Sequence, residues 1–168
     1  MSKQPHTLTR WWQHLTMTRW RMRRAFAEST LQAITKDVHA SEQLHGGEIR
    51  IAIEADLSLS ALLRGQSTRQ RALEVFAQLG VWDTEHRNGV LIYLCLADRV
   101  VEIIADRGLH DKVTNAEWAT VCAQLQADCA NNQYRQGMGA AIGSVGKLIG
   151  RHYPTADRNE QSDRPVLL

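Results

Sequence analysis

The stretch 87-RNGVLIYLCLADRVVEIIADRGLHD-111 decides the fold. Val90 to Leu96 is apolar at every position. That describes a strand buried on both faces, as in the middle of a sheet. Ala97-Asp98-Arg99 reads as a short reversal, after which Val100 to Ala105 returns as an antiparallel neighbour. Asn88-Gly89 is a turn signal at the front, and Asp106-Arg107-Gly108 closes the back. Such a hairpin needs helices on both of its faces, and the flanking sequence supplies them.

Upstream, Glu48 to Glu54 alternates, with Ile49, Ile51 and Ile53 facing one way: another strand. Residues 55 to 66 read as a loop with a few apolar anchors. Ser67 with Gln70 forms a capping box, and the spacing predicts Ala72, Leu73, Phe76 and Leu79 as a buried helix face before Gly80. Earlier still, a helix from about Ser29 turns Leu31, Ile34, Val38 and Leu44 inward and stops at Gly46-Gly47. Downstream, Thr114 with Glu117 caps a helix whose face is Trp118, Val121, Cys122, Leu125 and Cys129. A last helix from about Gln133 carries Met138, Ile142, Val145 and Ile149. This order predicts an α/β fold with the first two strands parallel through a right-handed crossover.

The 168 residues fit one domain, with apolar and charged fractions ordinary for a globular protein. Three parts are expected: a basic, tryptophan-rich helical segment over 1–26, the α/β domain over 27–154, and a polar tail over 155–168 that frays. The net charge of +2 is unevenly spread. Lys3, Arg10, Arg19, Arg21, Arg23 and Arg24 all precede the first acid, Glu28, so the remainder is net acidic. The N-terminus has no signal-peptide pattern and no stretch is long enough to span a bilayer, so a cytoplasmic location is expected. Cys95, Cys122 and Cys129 form no Cys-x-x-Cys pair and read as buried free thiols.

The predicted topology collects polar residues at two rims. One gathers His45, Glu48, Arg87-Asn88-Gly89, Asp106-Arg107-Gly108 and His110. The other gathers Glu54, Asp56, Asp98 and Arg99 beside the crossover helix. The second lies where open α/β sheets usually place a crevice. The first has the richer chemistry: two carboxylates, a carboxamide, two arginines and two histidines that a shared acid/base or metal role would bring together. The bland alternative is a surface Asp106–Arg107 ion pair and a solvated Glu48.

The run NGVLIYLCLADRVVEIIADRGL resembles the core signature of the TPM domain, the family of thylakoid-lumen phosphatase-like proteins and their bacterial relatives. EIRIAIE, RALEVFAQLGVWDTEHRNG and QYRQGMGAAIGSVGKLIGRHYP stand in the family's order, and the resemblance covers about residues 41–154. The chain looks closest to the cytoplasmic bacterial subtype. The resemblance implies a three-layer α/β/α sandwich with a mixed sheet, preceded here by N-terminal helices. It also implies calcium binding and weak acid phosphatase activity in some members. Asn88-Gly89 and Gly108-Leu109 match the family motif. Two departures weaken a calcium site: Arg87 stands where aspartate is common, and Asp106 to His110 replaces a Gly-Tyr-Gly-Leu-Glu run.

Other signals lead to less. AIGSVGKL lacks the Gly-x-x-x-x-Gly-Lys-Ser/Thr pattern of a phosphate loop and is helical in context. Gly139, Gly143, Gly146 and Gly150 instead form a stripe that suits close packing on a neighbouring helix or the sheet. No zinc spacing, nucleophile elbow or cysteine–histidine pairing is present.

Two functions remain. The first is an interaction module whose Trp11, Trp12, Arg19, Trp20, Arg21, Arg23 and Arg24 dock an anionic membrane surface or a protein; nucleic acid is not the expected partner. The bland reading of that segment packs its tryptophans on the domain. The second is a weak metal-assisted acid phosphatase. Its divalent cation, calcium by resemblance, would sit on Glu48, Asn88 and Asp106, with His110 or His45 moving protons.

Overall fold

The computed structural model describes residues 19–156 and 159–168. Two helices open it: α1 (Arg19–Ala25) and α2 (Glu28–Glu42), followed by strand β1 (Ile49–Glu54). Then come α3 (Leu59–Leu63), α4 (Thr68–Gln78), β2 (Val90–Cys95) and β3 (Val100–Ala105). The remainder is α5 (Arg107–His110), α6 (Asn115–Ala130), α7 (Tyr134–Gly150) and the two-residue strand β4 (Val166–Leu167).

The sheet order is β3-β2-β1-β4, with β1 parallel to β2 and to β4, and β3 antiparallel to β2. Every residue of β2 is buried, as its unbroken apolar run predicts. Alternate strand residues face two separate cores. Ile49, Ile51, Ile53, Ile92, Leu94 and Ile103 pack with α1, α2, α6 and α7. Ala52, Leu91, Tyr93, Cys95 and Ile104 pack with α3 and α4. The architecture is therefore an α/β/α sandwich with a mixed sheet.

Both capping boxes form, Ser67 with Gln70 and Thr114 with Glu117. The row Met138, Ile142, Val145 and Ile149 is fully buried on α7, a continuous helix through the glycine stripe. Four local readings differ. Leu44 lies beyond the end of α2 and is exposed. On α4 the inward row is Thr68, Ala72 and Val75, which turns Leu73 outward. Residues 59–63 and 107–110 form short helices capped by Ser58 and Asp106 in place of a continuous loop. The tail does not fray: β4 pairs with Ala52 and Ile53, and Pro165 is buried.

Candidate functional site

The register of the sheet builds the first rim. Ile49 pairs with Val90 and Val90 with Ala105, so Glu48, Gly89 and Asp106 stand side by side where the three strands begin or end. The Val90 N–H donates to Glu48 O at 2.8 Å, and the Asp106 N–H to Gly89 O at 2.9 Å. Gly89 has no room for a side chain, because an added Cβ would lie 2.0 Å from Val81 O. Gly108 is equally confined: its N–H reaches Arg87 O at 2.8 Å, and a Cβ would meet that oxygen at 2.5 Å. The motif glycines thus press the loop before β2 against the sheet. Arg87 adopts φ of 52°, a conformation asparagine and aspartate tolerate better than arginine.

The rim side chains are committed to the chain's own backbone. Asn88 is buried, donates to Gly46 O, and accepts from Thr84 Oγ1 at 3.2 Å. Glu48 accepts the Glu160 N–H at 3.1 Å on one oxygen and the Gln161 N–H at 3.2 Å on the other. Burial still raises the Glu48 carboxyl above its usual range, the two backbone donors opposing it. Asp106 Oδ1 accepts the Arg107 N–H at 2.7 Å, while the buried Oδ2 has no partner.

Arg107 and His110 point outward from α5. His110 borders a groove of about 450 Å³ along β3, with Arg69, Glu102, Trp118 and Gln126. His45 lies elsewhere, buried between α2 and α7, where it bonds to Ser41 Oγ at 3.0 Å and accepts the Gly47 N–H at 3.3 Å. The topology brings the backbones of Glu48, Asn88 and Asp106 together; the two histidines line different clefts.

A calcium ion takes roughly six to eight oxygens. Both oxygens of Glu48 and the carboxamide oxygen of Asn88 already accept hydrogen bonds, which leaves Asp106 Oδ2. Among the described residues no three His, Cys, Asp or Glu side chains are disposed to hold a metal. The donor set does not fit the ion. Burial pushes the Cys122 thiol up to about 11 and the Cys129 thiol to about 12, away from the thiolate form.

A family model of the TPM domain matches residues 22–148. The chain belongs to the TPM domain family. Its fold is similar to the solution structure of the BA42 protein of the psychrophilic bacterium Bizionia argentinensis. That match has 25% identity and a TM-score of 0.73 over 83% of this chain and 93% of that one. A second structure, the N-terminal domain of the cg2496 protein of Corynebacterium glutamicum, is matched at 17% identity and a TM-score of 0.45. That match spans 83% of this chain and 76% of that one. No curated protein matches this chain.

One polar group of this TPM domain was not singled out by its sequence motifs. Glu42 continues the inward row Leu31, Ile34, Val38 along α2, and its helical spacing was the available signal. Its Oε1 accepts the Ile49 N–H at 2.7 Å, and burial, with the Glu48 and Asp163 carboxylates adding to it, pushes its carboxyl to about 8. This value lies above the 4.5 of an unfolded glutamate, so folding favours the protonated form. That stability is complete below about pH 4.5 and disappears as pH rises towards about 8. His45 acts in the other direction: burial lowers it from 6.5, so its stability is present above that value and lost as pH falls. Glu42→Gln, which keeps the acceptor for Ile49, should therefore gain about 2–4 kcal/mol over the native chain near pH 9 and little near pH 5. Urea unfolding at both pH values checks this; an equal difference at the two would show that Glu42 is not held as a neutral acid.

Proposed function

We propose that this TPM domain is a cytoplasmic interaction module that docks on an anionic membrane surface through α1. The observation carrying the reading is the division of that helix. Met22 and Phe26 are buried in the core, which anchors α1, while Trp20 is 66% exposed. The Arg24 guanidinium stands 5.5 Å from the Trp20 ring centroid, and Arg21 and Arg23 are exposed beside it. A cleft of about 470 Å³ separates this arm from Leu96, Asn132 and Tyr134. An indole flanked by guanidinium groups suits the headgroup region, where the ring inserts and the cations meet phosphate. Trp11 and Trp12 lie outside the described residues, and Arg19 opens the helix. Among the described residues no helix is long and apolar enough to cross a membrane, so contact through α1 would be peripheral.

Sedimentation with vesicles containing phosphatidylserine tests the reading. Binding should weaken with salt, and the double variant Arg23→Gln/Arg24→Gln should bind about thirty-fold more weakly, at about 1 kcal/mol per basic residue. If the chain stays in the supernatant, the membrane reading fails. A protein partner captured by the native chain and lost by that variant would then assign the arm to a protein surface.

The second reading, weak phosphatase activity at the first rim, rests on the unpartnered Oδ2 of Asp106. Because the donors do not fit a metal, no step is routed through one. Turnover of a generic phosphomonoester, with and without divalent ions, should fall at least ten-fold in Asp106→Ala if that oxygen serves the reaction, as expected on loss of a positioned acid/base. Unchanged turnover in the variant removes the rim from consideration.

A further inference from the structure

Residues 159–168 lie along the outer edge of β1 like an extended peptide bound to a sheet. Glu48 receives the N–H groups of Glu160 and Gln161. Arg50 Nη1 donates to Ser162 O, and to Arg164 O at 3.3 Å. Val166 and Leu167 pair in parallel with Ala52 and Ile53, and the Leu168 N–H reaches Ile53 O at 2.9 Å. Two flanking contacts hold the segment to α2: a hydrogen bond between Asp163 and His39 at 3.1 Å and an ion pair between Arg164 and Glu28 at 2.9 Å.

This strap is an addition at the edge of the domain. It lies outside residues 22–148, the span matched by the family. Only two residue pairs join β4 to β1, and Pro165 alone of its ten residues is buried. Beneath it, Arg50 Nε is buried without a hydrogen-bond partner, and the buried Glu42 carboxyl faces the like charge of Asp163 on the strap, so the joint is not closed as a finished core would be. Most of the recognition is by backbone groups, which an identical segment from another molecule supplies equally well.

We propose that residues 159–168 are an exchangeable strand: the outer edge of β1 is a peptide-binding edge, and a second copy of this chain is its ligand in trans. Reciprocal exchange creates no new contact type, which makes it a low-cost route to a dimer. Tyr153 is tied to the domain, its carbonyl accepting the Gly46 N–H at 3.0 Å and its hydroxyl donating to Gly108 O at 2.9 Å, so the exchange pivots on residues 154–158, which extend to about 17 Å at about 3.4 Å each. The partner copy contributes the N–H groups that cap Glu48 and the strand beside Ala52, so each sheet is completed by the other molecule.

Cross-linking of full chains decides it. Ala52 and Val166 are register partners on strands about 4.8 Å apart, within disulfide reach. The double variant Ala52→Cys/Val166→Cys, oxidised at micromolar concentration, should give internal disulfides and a monomer on a non-reducing gel. At millimolar concentration a disulfide-linked dimer should appear, survive dilution and vanish on reduction. Internal disulfides alone at every concentration overturn the proposal, as does a dimer that also forms in Ala52→Cys or Val166→Cys alone, each of which keeps the native Cys95, Cys122 and Cys129. Should the double variant not fold, the native chain supplies the second readout. A labelled synthetic peptide of residues 159–168 should bind it saturably, and the same peptide with its Glu160, Gln161 and Leu168 amides N-methylated should not. Equal binding of the two, or binding of neither, rejects the exchange.

Discussion

Arg71→Met should lower the free energy of unfolding by about 3–5 kcal/mol, the range for removing one member of a buried ion pair. Glu54 sits at the end of β1 with 9% of its side chain exposed, and Arg71 on α4 with 20%. Arg71 Nε reaches the two Glu54 oxygens at 3.2 and 3.0 Å, and Nη2 adds a contact at 2.9 Å. Tyr93 donates its hydroxyl to the same carboxylate, and burial raises the Tyr93 phenol well above its ordinary range. Arg71 in turn is raised, chiefly by its hydrogen bond to Glu54. The variant strands a carboxylate between β1, β2 and α4. Adding Glu54→Leu should recover part of the loss: it removes the stranded charge but leaves the buried Tyr93 hydroxyl without its acceptor, at about 1–3 kcal/mol. Urea unfolding of both variants checks this. A single variant within about 1 kcal/mol of the native chain would mean that water reaches Glu54.

Gly89→Ala is the second large effect, expected to cost about 3 kcal/mol or more through overpacking against backbone. The new Cβ would stand 2.0 Å from Val81 O and 3.1 Å from Val81 C, atoms that cannot swing aside as a side chain can. Gly143→Ala is the internal comparison. Gly143 lies inside α7 with nothing within 4 Å of the added atom. Alanine there should stabilise by about 0.5–1 kcal/mol, the helix-propensity difference. Thermal melts of the pair should move in opposite directions. A native-like melt for Gly89→Ala would show that the loop at Val81 does not press on the start of β2.

These two sites show why a rim rich in polar residues is not yet a reactive one. Glu54 and Glu48 stand at opposite ends of the same strand, and the sequence assigned neither a partner. In the fold one is matched by a guanidinium from the crossover helix, the other by two backbone N–H groups from the tail. Arg71 lies seventeen positions from Glu54 in the chain, and Glu160 lies 112 positions from Glu48. No periodicity or motif links residues at such separations. The glycine stripe on α7 divides for a similar reason. Gly146 faces Ser41 Oγ, which a Cβ would meet at 2.2 Å, whereas Gly143 faces open space.

What the amino-acid order determined was most of what near neighbours govern. It specified the buried run of β2, the reversal at Ala97-Asp98-Arg99, both capping boxes, the inward row of α7 and, through them, membership of the TPM domain family. Short-range sterics and hydrophobic periodicity act over a few residues, so they can be read in a line of letters. What only the tertiary structure decided was the partnership of each polar group: Glu42 held under the tail, Asn88 turned to Gly46, and residues 159–168 laid along β1. A buried donor or acceptor takes the partner that packing brings within about 3 Å, and that choice is made by the whole fold.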